Sequence, residues 1–183
     1  MAIKNDGQSA RLTRWCVITG APSSGKTAVL LHLESRGCRV VHEAARAYIE
    51  KELERGRTLQ QIKADPLRFE RRILLRKIDI ESHLPATERC YLDRAVPDSI
   101  AYFRFEGLDS REPEQRSRLT RYQHVFFFDR LQLQSDPVRS EDEVSAETLE
   151  RLLEASYREL GYDLVRVPVL PVAQRAQFVL DYQ

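Results

Sequence analysis

Five short apolar runs alternate with longer segments of helical pattern along the chain. The runs of strand type are Trp15–Thr19, Arg39–His42, Cys90–Asp93, His124–Phe128 and Leu164–Val167. The fourth has a continuous apolar centre, which is typical of a strand buried on both faces of a parallel sheet. Because helical segments separate the runs, the pattern predicts right-handed β–α–β units. We therefore expect an α/β fold, a three-layer sandwich in which a five-stranded parallel sheet carries helices on both faces.

The predicted helices carry apolar residues on one face and have recognisable ends. They span about 27–34, 45–53 with Gly56 after the end, 66 to about 83 behind an Asp65 N-cap, 97–106, part of 109–121, 145–160, and 171 to the end. Thr58–Gln61 has the form of a capping box. Residues 131–144 lack periodicity and are rich in charge, Pro and Ser, so we expect a mobile loop there before a helix capped by Ser145.

Length and charge narrow the class of protein. A chain of 183 residues suits one well-cored domain, which we place at 14–183 behind a flexible arm at 1–13. A net charge of +1 gives no reason to expect nucleic acid or a membrane as partner. The N-terminus lacks the apolar core of a secretion signal, and no run approaches the roughly twenty residues of a membrane span. We expect a cytoplasmic monomer or homodimer.

The three cysteines follow no metal-binding pattern. Cys16, Cys38 and Cys90 are unpatterned in spacing and each lies beside apolar strand residues. No C-x-x-C spacing exists, so buried thiols in a reducing compartment explain them better than a metal site.

The first strand is followed by a complete phosphate-binding motif. The eight residues match G-x-x-x-x-G-K-[ST] and are Gly20, Ala21, Pro22, Ser23, Ser24, Gly25, Lys26 and Thr27. In this motif glycines let backbone N–H groups converge on phosphate oxygens at a helix N-terminus. Lys26 is then expected to reach the β- and γ-phosphates, and the Thr27 hydroxyl to ligate Mg²⁺. The motif predicts a nucleotide site for ATP or GTP.

Charged residues follow the later strands, where an open α/β sheet binds its ligands. Asp93 ends the third strand and is the expected second ligand of Mg²⁺, directly or through water. Glu43 ends the second strand and is expected to face the phosphoryl acceptor, as a base or a hydrogen-bond acceptor. A favourable charge at a helix N-terminus is the alternative for Glu43.

Three further residues are candidates for binding the acceptor. Arg46 lies nearly one helical turn after Glu43, although an ordinary surface arginine would look the same. Arg94 follows Asp93 and could clamp a substrate phosphate, or pair structurally with Asp98 one turn later. We list Arg46, Arg94 and Asp98 together as expected substrate-binding residues. The basic residues of the long helix, Arg68, Arg71, Arg72, Arg76 and Lys77, spread over more than one face, so most are expected to be solvated.

Two loops complete the predicted site. Arg139 lies in the unstructured, Pro-containing stretch before the helix at 145, which predicts a lid that carries this arginine to the transferring phosphate. A solvated loop is the alternative. Val169 and Leu170, after the fifth strand, are expected to form a wall for the nucleotide base.

The motifs together resemble a known family of small bacterial P-loop proteins, usually labelled AAA-domain ATPases. The resemblance runs from about Trp15 to the end and rests on Gly20–Thr27, His42–Arg46, Asp93-Arg94, Val138–Asp142 and Tyr157–Tyr162. The family is similar to the ribosylnicotinamide kinase domain of bacterial NAD-biosynthesis regulators. Asp93-Arg94 is also similar to the Asp-Arg pair of thymidylate kinases, although Asp98 stands where those enzymes have Ser. The resemblance implies a P-loop fold of the nucleotide-kinase type with Mg-ATP as nucleotide.

Three functions remain open at this stage. A small-molecule kinase would use Lys26, Glu43, Asp93 and Arg139 as catalytic residues and transfer the γ-phosphate to a nucleoside, nucleotide or related metabolite. An NTPase would need only a positioned water. A regulatory nucleotide switch would need neither an acceptor nor a positioned water, and it would turn over slowly. The strand-end acid and the arginine loop favour the kinase.

Overall fold

The computed structural model describes residues 9–131 and 140–182, and it contains a five-stranded parallel sheet in the order β3-β4-β2-β6-β7. Its strands are β2 (Trp15–Thr19), β3 (Val40–Val41), β4 (Cys90–Asp93), β6 (His124–Phe128) and β7 (Leu164–Val167). A separate pair of two-residue parallel strands consists of β1 (Arg11–Leu12) and β5 (Thr120–Arg121). The central strand β2 is flanked by β4 and β6, so the loop after β2 lies in the middle of the sheet edge.

Helices cover both faces of this sheet, as the sequence predicts. Their bounds are α1 (Lys26–Ser35), α2 (Ala44–Glu54), α3 (Leu59–Ile62), α4 (Pro66–His83), α5 (Asp98–Phe105), α6 (Arg111–Ser117), α7 (Ser140–Glu159) and α8 (Val172–Asp181). Cys16 and Ile18 of β2 face a core with α1 and α8, whereas Trp15 and Val17 face the opposite core, which includes Tyr157 of α7. Alternate residues of one strand thus fill two cores, and the three-layer α/β sandwich is confirmed.

Most predicted element bounds are confirmed. Four of the five strands have the predicted first and last residues. The strand predicted at 39–42 is shorter, because β3 is an edge strand that pairs only with β4 and whose two residues are half-buried. The capping box is present, with Thr58 Oγ1 accepting from the Gln61 N–H at 3.2 Å and Gln61 Oε1 accepting from the Thr58 N–H at 2.9 Å.

The predicted start of the helix at Ser145 is wrong. Helix α7 begins at Ser140, so the end of the expected loop is helical and Ser145 lies inside the helix. Glu143 in this added turn faces Arg130, with 3.7 Å between Oε1 and Nη2. Glu143 also lies near the N-terminus of the helix, where the helix dipole favours a negative charge, and this accounts for a helix that begins before Ser145.

The N-terminal segment is anchored from Arg11 onward. Arg11 Nη2 donates to the Leu84 carbonyl at 2.6 Å, and its guanidinium lies 5.0 Å from the centre of the Trp15 ring. Thr13 Oγ1 donates to the Arg121 carbonyl at 3.0 Å. The last residues of the segment expected to be an arm therefore pack against the domain. Within the described part of the chain, no helix has the length and apolar character needed to cross a membrane.

Two of the three thiols are buried, as the sequence predicts. Cys16 and Cys90 are buried, Cys38 is half-buried, and all three are free. Burial raises the pKa of the Cys16 and Cys90 thiols to about 11, so both stay protonated and unreactive at neutral pH.

Candidate functional site

The phosphate-binding loop fills the connection between β2 and α1, and its backbone requires glycine at two positions. Gly20 has φ 133°, and a Cβ there would lie 2.6 Å from the carbonyl oxygen of Phe128 on β6. Gly25, the residue before α1, has φ 80°. The loop therefore folds tightly against the neighbouring strand and leaves its N–H groups at the helix N-terminus, the arrangement that binds phosphate.

Lys26 lies across this loop as its buried cation. Its ammonium donates to the Gly20 carbonyl at 3.0 Å, the Ala21 carbonyl at 2.7 Å and Ser24 Oγ at 2.9 Å. Burial, followed by repulsion from Arg94, lowers the pKa of Lys26 to about 7. These three hydrogen-bond partners are neutral oxygens, and a phosphate bound at the loop would give the ammonium an anionic partner. The site therefore favours an anion.

Arg175 of α8 holds the phosphate loop in place, a role that the sequence does not predict. It is 2% exposed, and its Nη1 donates to the Ser24 carbonyl at 2.6 Å. Its Nη2 donates to the carbonyls of Asp129 and Val167, each at 3.3 Å, while the guanidinium stacks 4.4 Å from the centre of the Phe128 ring. This arginine joins the phosphate loop to the ends of β6 and β7.

Asp93 ends β4 beside the loop, as predicted, and one of its oxygens has no partner. Its Oδ1 is buried and accepts no hydrogen bond within the described part of the chain. Burial, and then the neighbouring charge of Glu43, raise the pKa of Asp93 to about 6. A buried carboxylate oxygen without a partner is costly unless a cation or water fills the place.

These residues fit a magnesium ion. Mg²⁺ prefers oxygen ligands and is commonly held by one or two protein oxygens together with phosphate oxygens and waters. Asp93 offers the orphaned carboxylate oxygen, and Thr27 offers a hydroxyl on an exposed side chain in the first turn of α1. No group of three or more His, Cys, Asp or Glu in residues 9–131 and 140–182 could hold a metal, so an all-protein cage is not found there.

Arg94 is the centre of a buried ion-pair cluster. It has φ 66°, a conformation that a non-glycine side chain rarely adopts, and its own N–H donates to the Ile18 carbonyl at 3.1 Å. Its Nε lies 3.2 Å from Glu43 Oε1 and its Nη1 lies 3.2 Å from Asp98 Oδ1. Burial alone would lower the pKa of Arg94, but Tyr102, Asp98 and Glu43 outweigh it and raise the value. Arg94 is thus a fixed charge that orients Glu43.

Asp98 fixes the position of the Arg94 side chain. It is fully buried and also accepts hydrogen bonds from Thr19 Oγ1 at 2.5 Å, Tyr157 OH at 2.5 Å and the Ala95 N–H at 2.8 Å. Burial opposes ionisation, but Lys77, Arg94 and these hydroxyl donors together lower the pKa of Asp98. The pairing of Arg94 with Asp98 that the sequence left open is therefore present, and it uses the whole hydrogen-bonding capacity of this carboxylate.

The other predicted site residues lie in different surroundings. Arg46 is exposed and pairs with Glu50 of its own helix at 3.0 Å. Val169 and Leu170 follow β7 and are 52% and 39% exposed. Arg139 lies outside the described residues. The sequence predicts that most basic residues of α4 are solvated, but Lys77 is 6% exposed and donates to Ser99 Oγ at 3.1 Å.

The structure therefore brings five predicted residues together at the carboxyl edge of the sheet. The charges of Glu43, Arg94 and Asp98 all act on the pKa values of Lys26 and Asp93, which places the five residues in one electrostatic cluster. A cavity of about 10 Å³ lies behind this cluster against Lys77 and Glu81, large enough for one water. Such a cluster beside a phosphate loop can bind a nucleotide and orient a carboxylate toward a second substrate.

Comparison with known proteins agrees with this geometry. The model of the family described as AAA domain matches residues 15–175. No curated protein matches the chain. Two solved structures of NadR protein are similar in fold: the complex with NR has a TM-score of 0.67 at 17% identity, and the complex with NAD and AMP-PNP has 0.66 at 18%. Each match covers 93% of this chain, but only 50% and 49% of the NadR chains.

A third structure matches over nearly its full length. Thymidylate kinase from Ehrlichia chaffeensis has a TM-score of 0.65 at 12% identity, with 93% of this chain and 97% of that chain covered. At these identities the likeness shows the fold, a P-loop domain of the nucleotide-kinase type. The chain spans about half the length of the NadR proteins, so it corresponds to one part of them.

Proposed function

We propose that this chain, which belongs to the AAA-domain family, is an Mg-ATP-dependent phosphotransferase that moves the γ-phosphate to a small-molecule acceptor. The acceptor is a nucleoside, a nucleotide or a related metabolite. The observation that carries the proposal is the Glu43–Arg94 pair at the edge of the phosphate loop, with 3.2 Å between Oε1 and Nε. Glu43 is 29% exposed at its side chain, so one end of the carboxylate is held and the other faces solvent.

The nucleotide phosphates bind the loop and Lys26. Loop N–H groups and the N-terminus of α1 hold phosphate oxygens, and the Lys26 ammonium turns from the Gly20 and Ala21 carbonyls to the β- and γ-phosphates. Arg175 keeps the loop in its binding shape by holding the Ser24 carbonyl. Thr27 and Asp93 would hold Mg²⁺, which neutralises phosphate charge when it is bound.

Glu43 acts on the acceptor. An acceptor hydroxyl placed between the loop and α2 donates its proton to the free oxygen of Glu43 as the hydroxyl oxygen attacks the γ-phosphorus. The bond between that phosphorus and the oxygen of the β-phosphate breaks, and ADP leaves with this oxygen. Arg94, fixed by Asp98 and Tyr102, holds the carboxylate in position. Arg139 is proposed to reach the transferring phosphate and to exclude water when the acceptor is bound.

The nearest competitor is an NTPase, which would consume ATP without any acceptor. The test is ATP consumption by the pure protein, alone and with separate pools of nucleosides, nucleotides and cofactors. A phosphotransferase shows slow consumption alone and a large stimulation by one pool. Consumption that is fast alone and unaltered by every pool would overturn the proposal and leave the NTPase.

A further inference from the structure

A second, larger cleft lies beside the site, between helices α2, α3 and α4. It encloses about 640 Å³, within the range typical of small-molecule sites. Six cationic side chains line it, against only two carboxylates, Glu52 and Asp65. The cations are Lys51, Arg55, Arg57, Arg68, Arg72 and Arg76. In a chain whose net charge is +1, this basic cleft concentrates positive charge in one place.

The charges of the basic cleft are only partly neutralised within the protein. Glu52 pairs with Arg55 at 2.7 Å and with Arg57 at 2.8 Å. Asp65 is engaged by its own helix, because its Oδ1 accepts the Arg68 backbone N–H at 2.9 Å. Within the described ranges, no ion pair joins the side chains of Lys51, Arg68 and Arg72 to a carboxylate. These cations are therefore available to an anionic ligand.

The basic cleft also has an aromatic floor, which an ordinary solvated charge cluster lacks. Tyr48 and Phe69 both line it, with ring centres 6.1 Å apart, and Arg76 lies 5.8 Å from the centre of the Tyr48 ring. Ile62 and Ile73 pack behind Phe69. The lining of the cleft is mostly polar, and these two rings give a small molecule an apolar surface to contact.

The helices that line the basic cleft also lead to the proposed active site. Helix α2 begins beside Glu43, so Lys51 lies about 12 Å farther along it at 1.5 Å per residue. On α4, Lys77 lies beside Asp98 of the active-site cluster, and Arg68 is nine residues away, or about 14 Å. One elongated molecule of that length can thus reach from Glu43 into the basic cleft.

We propose that the acceptor carries a phosphate group at the end remote from the reacting hydroxyl, and that the basic cleft binds this phosphate. Arginine guanidinium groups suit phosphate because they donate two parallel hydrogen bonds to its oxygens. The rings of Tyr48 and Phe69 contact the part of the acceptor between its two ends. This inference about substrate class rests on the proposed phosphotransferase function, but the binding site itself does not.

The test uses inorganic pyrophosphate as probe, measured by titration calorimetry with the phosphate loop already saturated by a non-hydrolysable ATP analogue. The charge-reversed double variant Arg68→Glu/Arg72→Glu is expected to weaken pyrophosphate binding about tenfold or more, because two charge-assisted contacts become repulsive. The matched control is Arg116→Glu/Arg118→Glu, which reverses two exposed arginines at the end of α6 and is expected to bind as wild type. Arg72→Gln, a milder change, repeats the measurement if the double variant is unstable.

Two outcomes of the titration overturn the inference. One is the absence of pyrophosphate binding to wild type, and the other is equal binding by cleft and control variants. Because the titration needs no turnover, it decides the inference even if the protein transfers no phosphate. Conversely, transfer to an uncharged acceptor at wild-type rate by the cleft variants would overturn the inference and leave the phosphotransferase standing.

Discussion

The guanidinium of Arg175 donates a 2.6 Å hydrogen bond from Nη1 to the carbonyl oxygen of Ser24, across 151 positions of the chain. This contact connects the last helix to the middle of the phosphate loop. Arg175 is 2% exposed, and this burial lowers its pKa. The loop conformation that binds phosphate is thus partly set by α8.

Replacing Arg175 by Lys is expected to weaken nucleotide binding about tenfold. A lysine keeps the charge, but it cannot hold the carbonyls of Ser24, Asp129 and Val167 together, and a lost charged hydrogen bond costs about 1.5–3 kcal/mol. The measurement is the Kd of a non-hydrolysable ATP analogue, with the melting temperature recorded beside it. The matched control is Arg36→Lys, since Arg36 also links α1 to α8, through Gln177 at 2.8 Å, but at the surface. Equal affinity of the Arg175 and Arg36 variants would show that α8 does not position the loop.

Lys26→Ala is expected to abolish nucleotide turnover and leave the fold intact. The ammonium is bonded only to atoms of its own loop, and its lowered pKa shows that the folded protein does not favour its charge. Removing it should therefore not lower the melting temperature, while the phosphates lose their cation. Turnover is measured as ADP formed from ATP. Wild-type turnover in this variant would rule out the phosphate loop as the site of chemistry.

Asp93→Asn is expected to raise the Mg²⁺ concentration needed for half-maximal activity and to lower the maximal rate. An amide oxygen can replace the orphaned Oδ1 in shape, but it lacks the charge that attracts a divalent cation. Activity is titrated with Mg²⁺ for wild type and variant. An unchanged metal dependence would assign the metal-binding carboxylate to another residue.

Glu81 makes stability depend on pH. Burial raises the pKa of Glu81 from its ordinary value of 4.5 to about 7, although hydrogen bonds from Tyr122 and the Val96 N–H oppose the rise. The folded state then keeps a proton that the unfolded chain loses, so the free energy of unfolding falls as pH rises from 4.5 through 7. The loss is about 3 kcal/mol at about 1.4 kcal/mol per pKa unit.

Glu81→Gln is expected to remove the part of this pH dependence that Glu81 contributes, because the amide stays neutral. The measurement is the free energy of unfolding in urea for wild type and variant. It is made at about pH 5 and pH 8, on either side of most of the titration of Glu81. Glu70 and Asp93, whose pKa values are also raised, to about 7 and about 6, leave a residual slope in both proteins. Parallel pH profiles for wild type and Glu81→Gln would contradict the role of Glu81.

The strands and the strand-end acids could be predicted because their signal is local. A continuous apolar run such as His124–Phe128 specifies burial on both faces, and Asp93 follows its strand directly. The roles of Arg175 and Tyr157 depend instead on which elements the sheet brings together. Their partners, Ser24 and Asp98, are distant in sequence, so no spacing or periodicity indicates the contacts.

The burial of Lys77 also depends on residues that are distant in sequence, and here the sequence pattern predicts the wrong environment. Its neighbours on α4, Arg71 and Arg72, are exposed, and sequence pattern grouped Lys77 with them. It is buried because α5 packs over that position and offers Ser99 Oγ and the charge of Asp98. A buried cation of this kind becomes recognisable only when its partners are known in space.

The fate of the γ-phosphate tests the central claim most directly. Wild type and Glu43→Gln are incubated with γ-labelled ATP and the metabolite pool that stimulates ATP consumption, and label is measured in organic phosphate and in inorganic phosphate. The account predicts that wild type places the label in an organic product in step with ADP formation. Glu43→Gln should transfer far more slowly while binding the ATP analogue as wild type does. Label released by wild type as inorganic phosphate alone, at a rate that Glu43→Gln leaves unchanged, would contradict phosphoryl transfer.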